Sequence, residues 1–362
     1  MVNKRWFQVG VAVLLTLLII FMFREVKSIF SPVVIVAQTI FMPLLIGGVL
    51  FYLARPLQKW LESRKFPRWS SIISIFVVIG LIGWGFYALV GPPLTKQVSS
   101  LVENTPEIVK EVEDFTKYTI SQKDKFTYLP ESIQKTIKEA TGKIDTIAVV
   151  AGSLLVKFVQ SVFQGLFLLV LVPFFLVYML KDHEKFAPFV AQFFKGDKKT
   201  WIRKTLSDVD DTLRSYIQGQ LFVSFLVGVM LFIGYFAIGL KYSLLLALFG
   251  MMMNVVPFLG PYIALVPALI IGFLQEPKMA IYVVIVMLVS QQIESNFITP
   301  NVMGKSLDIH PLTVITIILA AGNIAGLWGI ILGVPTYAVV KSILKNIYAH
   351  REGIKDAATE SI

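Results

Sequence analysis

The stretch SLLLALFGMMMNVVPFLGPYIALVPALIIGFL, residues 243–274, decides how this chain is built. It reads as two apolar arms, 243–256 and 262–274, on either side of Pro257-Phe258-Leu259-Gly260-Pro261. Each arm gives about 20 Å of helix at roughly 1.5 Å per residue, short of a hydrocarbon core of roughly 30 Å. Joined into one helix, they would be far too long. Two prolines and a glycine within so short a turn also break a helical ladder, because proline lacks the backbone donor and clashes with the preceding turn. A re-entrant hairpin, two short arms meeting inside the bilayer, satisfies both constraints.

The far end of the chain repeats the pattern. A short apolar arm, 311–321, leads into Gly322-Asn323-Ile324-Ala325-Gly326-Leu327-Trp328-Gly329, and 330–344 is apolar again. Glycines of this kind also serve ordinary helix packing, so a single continuous span stays open as the alternative. Each interrupted segment follows an apolar helix, 216–240 before the first and 279–296 before the second. If the first hairpin enters from outside, the second helix runs inward and the last hairpin enters from inside, giving an inverted repeat. Paired broken segments of this kind point to a transporter site. Half-helix ends aim unpaired backbone groups at whatever lies between the tips, and exposed backbone at that depth is tolerated only where it lines a cavity.

The remaining composition agrees. Of 362 residues 56% are hydrophobic and 15% charged, outside the usual soluble balance. The net charge of +10 sits in short loops beside apolar runs, where membrane orientation needs it, so nucleic acid is not an expected partner and the lipid bilayer is. The absence of cysteine and the separation of His183, His310 and His350 leave no metal site or cofactor to expect. Without a cysteine nucleophile, an HExxH or a pair of membrane aspartates, the chain is not expected to be an enzyme. Without GxxxxGK[ST], it does not read as ATP-driven on its own.

Taken in order, residues 1–93 read as N-terminal transmembrane helices, the first uncleaved and starting inside. Arg55, Lys59, Arg64, Lys65 and Arg68 against Glu62 place the next loop in the cytoplasm. Gly80, Gly83 and Gly85 read as a packing surface for another helix, and Gly91-Pro92-Pro93 as a helix stop. Residues 94–146, with eight lysines, no arginine and nine acids, read as extracellular amphipathic helices. Residues 147–214 comprise an apolar helix back to the cytoplasm and a basic interfacial helix with Ile202, Leu206, Val209 and Leu213 on one face. Residues 215–346 form the transport core, and 347–362 a cytoplasmic tail, so both termini are expected inside the cell membrane. The fold class is an all-α polytopic membrane protein with about six full transmembrane helices plus two re-entrant hairpins, or alternatively eight transmembrane helices.

Within the core, QQIESNFITPNVMGKSLDIHP, residues 291–311, is the polar stretch between two apolar segments. It carries Glu294, flanked by Gln291, Gln292, Ser295 and Asn296, and the only other acids from 217 to 340 are Glu276 and Asp308. An ionisable group at membrane depth is costly and defaults to a functional reading. The plainer reading is a helix-end carboxylate paired with Lys305 or wetted at the interface. The fifth span opens with the polar Gln218-Gly219-Gln220, and Asn323 sits at the tip expected for the second hairpin.

These residues carry a family resemblance. Pro257-Phe258-Leu259-Gly260-Pro261, then Gln291-Gln292-Ile293-Glu294-Ser295-Asn296-Phe297-Ile298-Thr299-Pro300 and Gly304-Lys305, with Tyr216, Gly219-Gln220 and His310-Pro311-Leu312, resemble the autoinducer-2 exporter family, the PerM-like permeases. The resemblance covers nearly the whole chain. It implies a homo-oligomer, a pentamer, with paired hairpins and elevator-like movement. It also implies two activities: export of a small polar solute such as autoinducer-2, and sodium or lithium exchange for protons. By similarity, Asn254, Pro257, Gly260, Pro261, Gln292, Glu294, Asn296 and Pro300 match the motif positions nearest the path. In the antiport reading Glu294 is central, since one carboxylate can hold either a cation or a proton.

Overall fold

The computed structural model describes residues 5–26, 31–121, 157, 168–303 and 309–360, and its regular structure is helical throughout. The helices are α1 (Arg5–Val26), α2 (Ser31–Ser63), α3 (Arg68–Ser121), α4 (Leu168–Ala191), α5 (Asp197–Ala237), α6 (Ser243–Met253), α7 (Leu259–Gln275), α8 (Pro277–Ile293) and α9 (Pro311–Glu360). Between α8 and α9 the chain continues as a π-helical turn, Glu294–Ile298, and one more α-turn, Thr299–Met303. Among the described residues five helices are long and apolar enough to cross a membrane, within α2, α3, α5, the stretch Pro277–Met303 and α9. Shorter apolar helices accompany them in α1, α6 and α7. This is a polytopic helical membrane protein.

Two apolar clusters hold it. The larger one joins α5 through α9, with Val223, Leu231, Leu245, Ala268, Val283 and Ile318 at its centre. A smaller one, Phe51, Ile72, Ile75, Leu176 and Leu180, ties α2, α3 and α4. The clusters meet at a polar lock: Arg55 pairs with Asp210 at 2.6 Å, the Tyr52 hydroxyl donates to the same carboxylate at 3.0 Å, and Gln218 donates to the Tyr52 carbonyl at 2.5 Å.

The first hairpin is as the sequence predicts. The arms α6 and α7, of 11 and 17 residues, fold back on each other through a turn in which Phe258 takes φ 63°. Gly260 packs so closely on the Met253 carbonyl that a Cβ would overlap it. The second break is also a hairpin. Ala325 (φ −129°, ψ 17°) and Gly326 (φ 58°, ψ −138°) leave helical geometry in the middle of α9. Past the bend a Cβ on Gly329 would overlap the Ala321 carbonyl, and one on Gly333 would lie 3.3 Å from Ile317 Cγ2. Residues 317 and 333 of a straight helix would be about 24 Å apart, so α9 doubles back. Each hairpin therefore closes on one glycine seated against a carbonyl of the opposite arm.

Directions follow from contacts. Gly234 faces Val286 and Gly219 faces Met303, so α8 runs antiparallel to α5. The first hairpin starts beside Gln97, which accepts the Leu245 N–H at 3.0 Å. The second arm of α9 ends at the opposite face, where Trp201 donates to the Asn346 carbonyl at 3.2 Å and stacks on His350. The two helix-plus-hairpin units thus enter the bundle from opposite ends, as the inverted-repeat reading requires.

Three expectations change. Gly91-Pro92-Pro93 does not stop α3, which runs unbroken for 54 residues. The two prolines remove only their own donors, the freed carbonyls lie on an exposed flank, and Leu94, Val98 and Leu101 pack on the core beyond them. Gly80, Gly83 and Gly85 have no described atom within 4 Å of an ideal Cβ, so no described helix packs there. The basic segment before Tyr216 is not a separate surface helix, because α5 runs through it for 41 residues. The second amphipathic pattern, 129–147, and most of the helix expected from 147 lie outside the described residues.

Overpacking a tight helix contact costs about 1–3 kcal/mol, whereas alanine in an open helical site is favoured by up to about 1 kcal/mol. Gly260→Ala and Gly329→Ala should therefore each lower the unfolding temperature in detergent, and Gly83→Ala should leave it unchanged or raise it.

Candidate transport site

The site begins where α8 loses α-helical register. A π turn widens the ladder by one residue and recurs at functional sites. Here it begins at Glu294. The half-buried Glu294 carboxylate accepts the Gln291 side-chain amide at 2.9 Å on one oxygen and the Asn254 amide at 3.4 Å on the other. Asn254 ends the first arm of hairpin one, its backbone N–H bonded to the Gly250 carbonyl at 2.9 Å, and only 2% of its surface is exposed. Its carbonyl accepts the amide of buried Gln220 on α5 at 2.8 Å. One chain of hydrogen bonds thus links α5, the first hairpin tip and the π turn.

Neutral amides satisfy the carboxylate's lone pairs without cancelling its charge. Among the described residues no Lys or Arg pairs with Glu294, and Lys305 lies outside them. No described group of His, Asp and Glu could hold a multidentate metal ion. Such a carboxylate is suited to exchanging a proton or a monovalent cation, and its amide neighbours to binding a polar solute.

Of the sequence-predicted residues, the structure brings together Gln220, Asn254, Gln291 and Glu294. Pro257, Gly260 and Pro261 shape the turn beside them, the last two buried. Gln292 and Asn296 are exposed and bond to each other at 2.8 Å. Pro300 is exposed on the following turn. Asn323 is exposed too, donating only to the Leu319 carbonyl at 3.0 Å, and its neighbour Ile324 is 87% exposed. The second tip does not join the Glu294 cluster.

Sequence reasoning gave no site role to two sets of residues, although Tyr216 stood in the family motif. The hydroxyls of Tyr216 and Ser224 are buried without a partner among the described residues, one turn either side of Gln220 on the same face of α5; polar residues four apart in an apolar helix were the available signal. At the base of the hairpin, Asn104 donates to the Tyr242 hydroxyl at 3.2 Å, and Gln275 accepts the Lys241 N–H at 2.8 Å. Gln97 supplies the cap that Tyr242, in the left-handed region, does not give α6. These three amides fix where the hairpin begins.

Opposed helical hairpins and a lone carboxylate at a helix break define a helical membrane transporter. The chain belongs to the AI-2E family of transporters, whose sequence profile matches residues 11–349. It is 36% identical over 340 residues to "Putative transport protein YueF" of Bacillus subtilis, covering 92% of this chain and 91% of that protein. It is 34% identical over 337 residues to "Putative transport protein YrrI" of the same organism, covering 91% and 93%. Against "Putative permease PerM" of Escherichia coli K12 it is 22% identical over 319 residues, covering 83% and 86%.

Gln220→Met keeps the side chain's length and leaves the Asn254 carbonyl without its donor, which costs about 1–3 kcal/mol for a buried group. The substitution should lower thermal stability by that order and reduce transport more than Gln292→Met, whose partner is exposed. Paired unfolding and flux assays on the two variants check this.

Proposed function

We propose that this chain is a secondary transporter that exports a small polar solute such as autoinducer-2, with Glu294 as the group that couples flux to protons. The observation that carries this reading is the Glu294 carboxylate held, among the described residues, by the amides of Asn254 and Gln291, next to a hairpin turn in which Gly260 and Pro261 are buried. Gln220, Asn254 and Gln291 supply the hydrogen-bonding groups for the solute. The opposed hairpins support an elevator-like movement of the α5–α9 core against α2–α4, in a homo-oligomer with both termini cytoplasmic.

The alternative is sodium or lithium exchange for protons at the same carboxylate. What favours it is the missing basic partner among the described residues: an uncompensated carboxylate takes up either cation. Both readings make Glu294→Gln lose uphill transport while the protein still assembles, because the amide keeps the size and loses the charge. Proteoliposomes distinguish them, since one predicts proton-driven efflux of labelled autoinducer-2 and the other a sodium-dependent pH change. Unchanged gradient-driven flux in Glu294→Gln, with unchanged pH dependence, would remove the carboxylate from the mechanism.

Orientation is tested separately in this cysteine-free chain. Ser63, the last residue of α2, and Ser99, within α3, are both exposed. A cysteine at Ser99 should react with an impermeant maleimide on intact cells, and one at Ser63 should not. The reverse pattern would invert the topology.

A further inference from the structure

The elbow between α4 and α5 carries a surface that the transport path does not use. Phe186, Phe189 and Phe193 recur at helical spacing and are 63%, 59% and 72% exposed, with Phe189 and Phe193 in edge contact at 5.6 Å between ring centres. They lie beyond Leu180, where α4 leaves the apolar cluster and where Arg68 donates to the Leu180 carbonyl. Exposed phenylalanines this dense need a cover.

The charges around them say which. Asp182 pairs with Lys185 at 2.6 Å, and Glu184 with Arg68 at 3.0 Å. The Arg68 guanidinium holds the Glu184 carboxyl below the usual carboxylate range, so both acids are occupied by their own cations. Just past the phenylalanines come Lys195, Lys198 and Lys199, all exposed. None of them forms an ion pair among the described residues. Lys181, on α4 itself, stands 5.0 Å over the ring of Trp69 at the start of α3. Free lysines beside an apolar aromatic face complement an anionic lipid surface: rings enter the headgroup boundary and ammonium groups reach the phosphates. An acidic protein would satisfy the lysines but leave the phenylalanines in water. A second copy of this chain would bring like charge to like charge.

We propose that the 186–199 elbow is a docking surface for anionic phospholipid in the leaflet on the Arg55 side of the bundle, anchoring the start of α5 to the membrane. This is independent of what the Glu294 site carries.

The test uses the full-length chain, whose lack of cysteine allows one to be placed at Phe189 and labelled with an environment-sensitive dye. The protein is reconstituted in phosphatidylcholine vesicles with or without phosphatidylglycerol. In anionic vesicles the emission should shift to the blue and aqueous quenching should fall several-fold. Added salt should reverse both changes, as should the triple variant Lys195→Gln, Lys198→Gln and Lys199→Gln. A dye that stays water-exposed in both vesicle types overturns the proposal. So does protection that is equal in both lipids and unaffected by the triple variant, since the elbow would then be covered by protein.

Discussion

The structure turns on Asn254. Its carbonyl is held by Gln220 and its side-chain amide reaches Glu294, so one buried residue ties the membrane helix α5, the hairpin tip and the π turn together. Inside a bilayer there is no water to satisfy a backbone interrupted at depth, and an unsatisfied polar group costs several kcal/mol. A break in α6–α7 is therefore tolerable only if its freed groups find partners within the protein. The turn does this through Gly260 N–H to the Val256 carbonyl and Val256 N–H to the Met253 carbonyl, and through the Gln220 amide. The same residue brings the carboxylate in: Asn254, whose carbonyl accepts the Gln220 amide, donates its own side-chain amide to Glu294.

The closing of each hairpin rests on a second constraint, which is steric. Two helices approach until their carbonyls touch only where a glycine sits at the crossing. Gly260 against Met253 and Gly329 against Ala321 are the same device at corresponding places in the two units. Neither arm pair could close with any larger residue there without shifting. The base of the first hairpin is fixed differently, by amides from α3 and α7. That hairpin is clamped at its base and bonded at its tip, whereas the second tip, Asn323 and Ile324, stands exposed. Two units alike in topology thus differ in how firmly their tips are held.

Much of this was legible in the sequence because bilayer thickness is a hard ruler. Arms too short to cross and breaks rich in proline or glycine allow few solutions, and the hairpins and their opposed directions follow. Glu294 stood out differently, as one of three acids between 217 and 340, set in a polar stretch between two apolar segments. What escaped were outcomes set by partners elsewhere. Pro92 and Pro93 were local signals for a stop, but packing of Leu94, Val98 and Leu101 carries α3 past them. The glycines at 80, 83 and 85 looked like a helix contact, yet no described helix lies there. Asn323 was placed at a tip correctly, but what a tip faces depends on the packing of the whole bundle. The amide clamp of Gln97, Asn104 and Gln275 depends on residues up to 178 positions apart along the chain, counted from Gln97 to Gln275, which no local pattern connects.

The central claim is that the Glu294 carboxylate changes its protonation when the transported species binds. Ligand-induced infrared difference spectroscopy on the reconstituted protein reads this without requiring flux. On adding autoinducer-2, sodium or lithium, the account predicts a carboxyl band that appears or disappears with the ligand and shifts in Glu294→Asp. A difference spectrum with no carboxyl band for any of the three, or a band indifferent to Glu294→Asp, would contradict it.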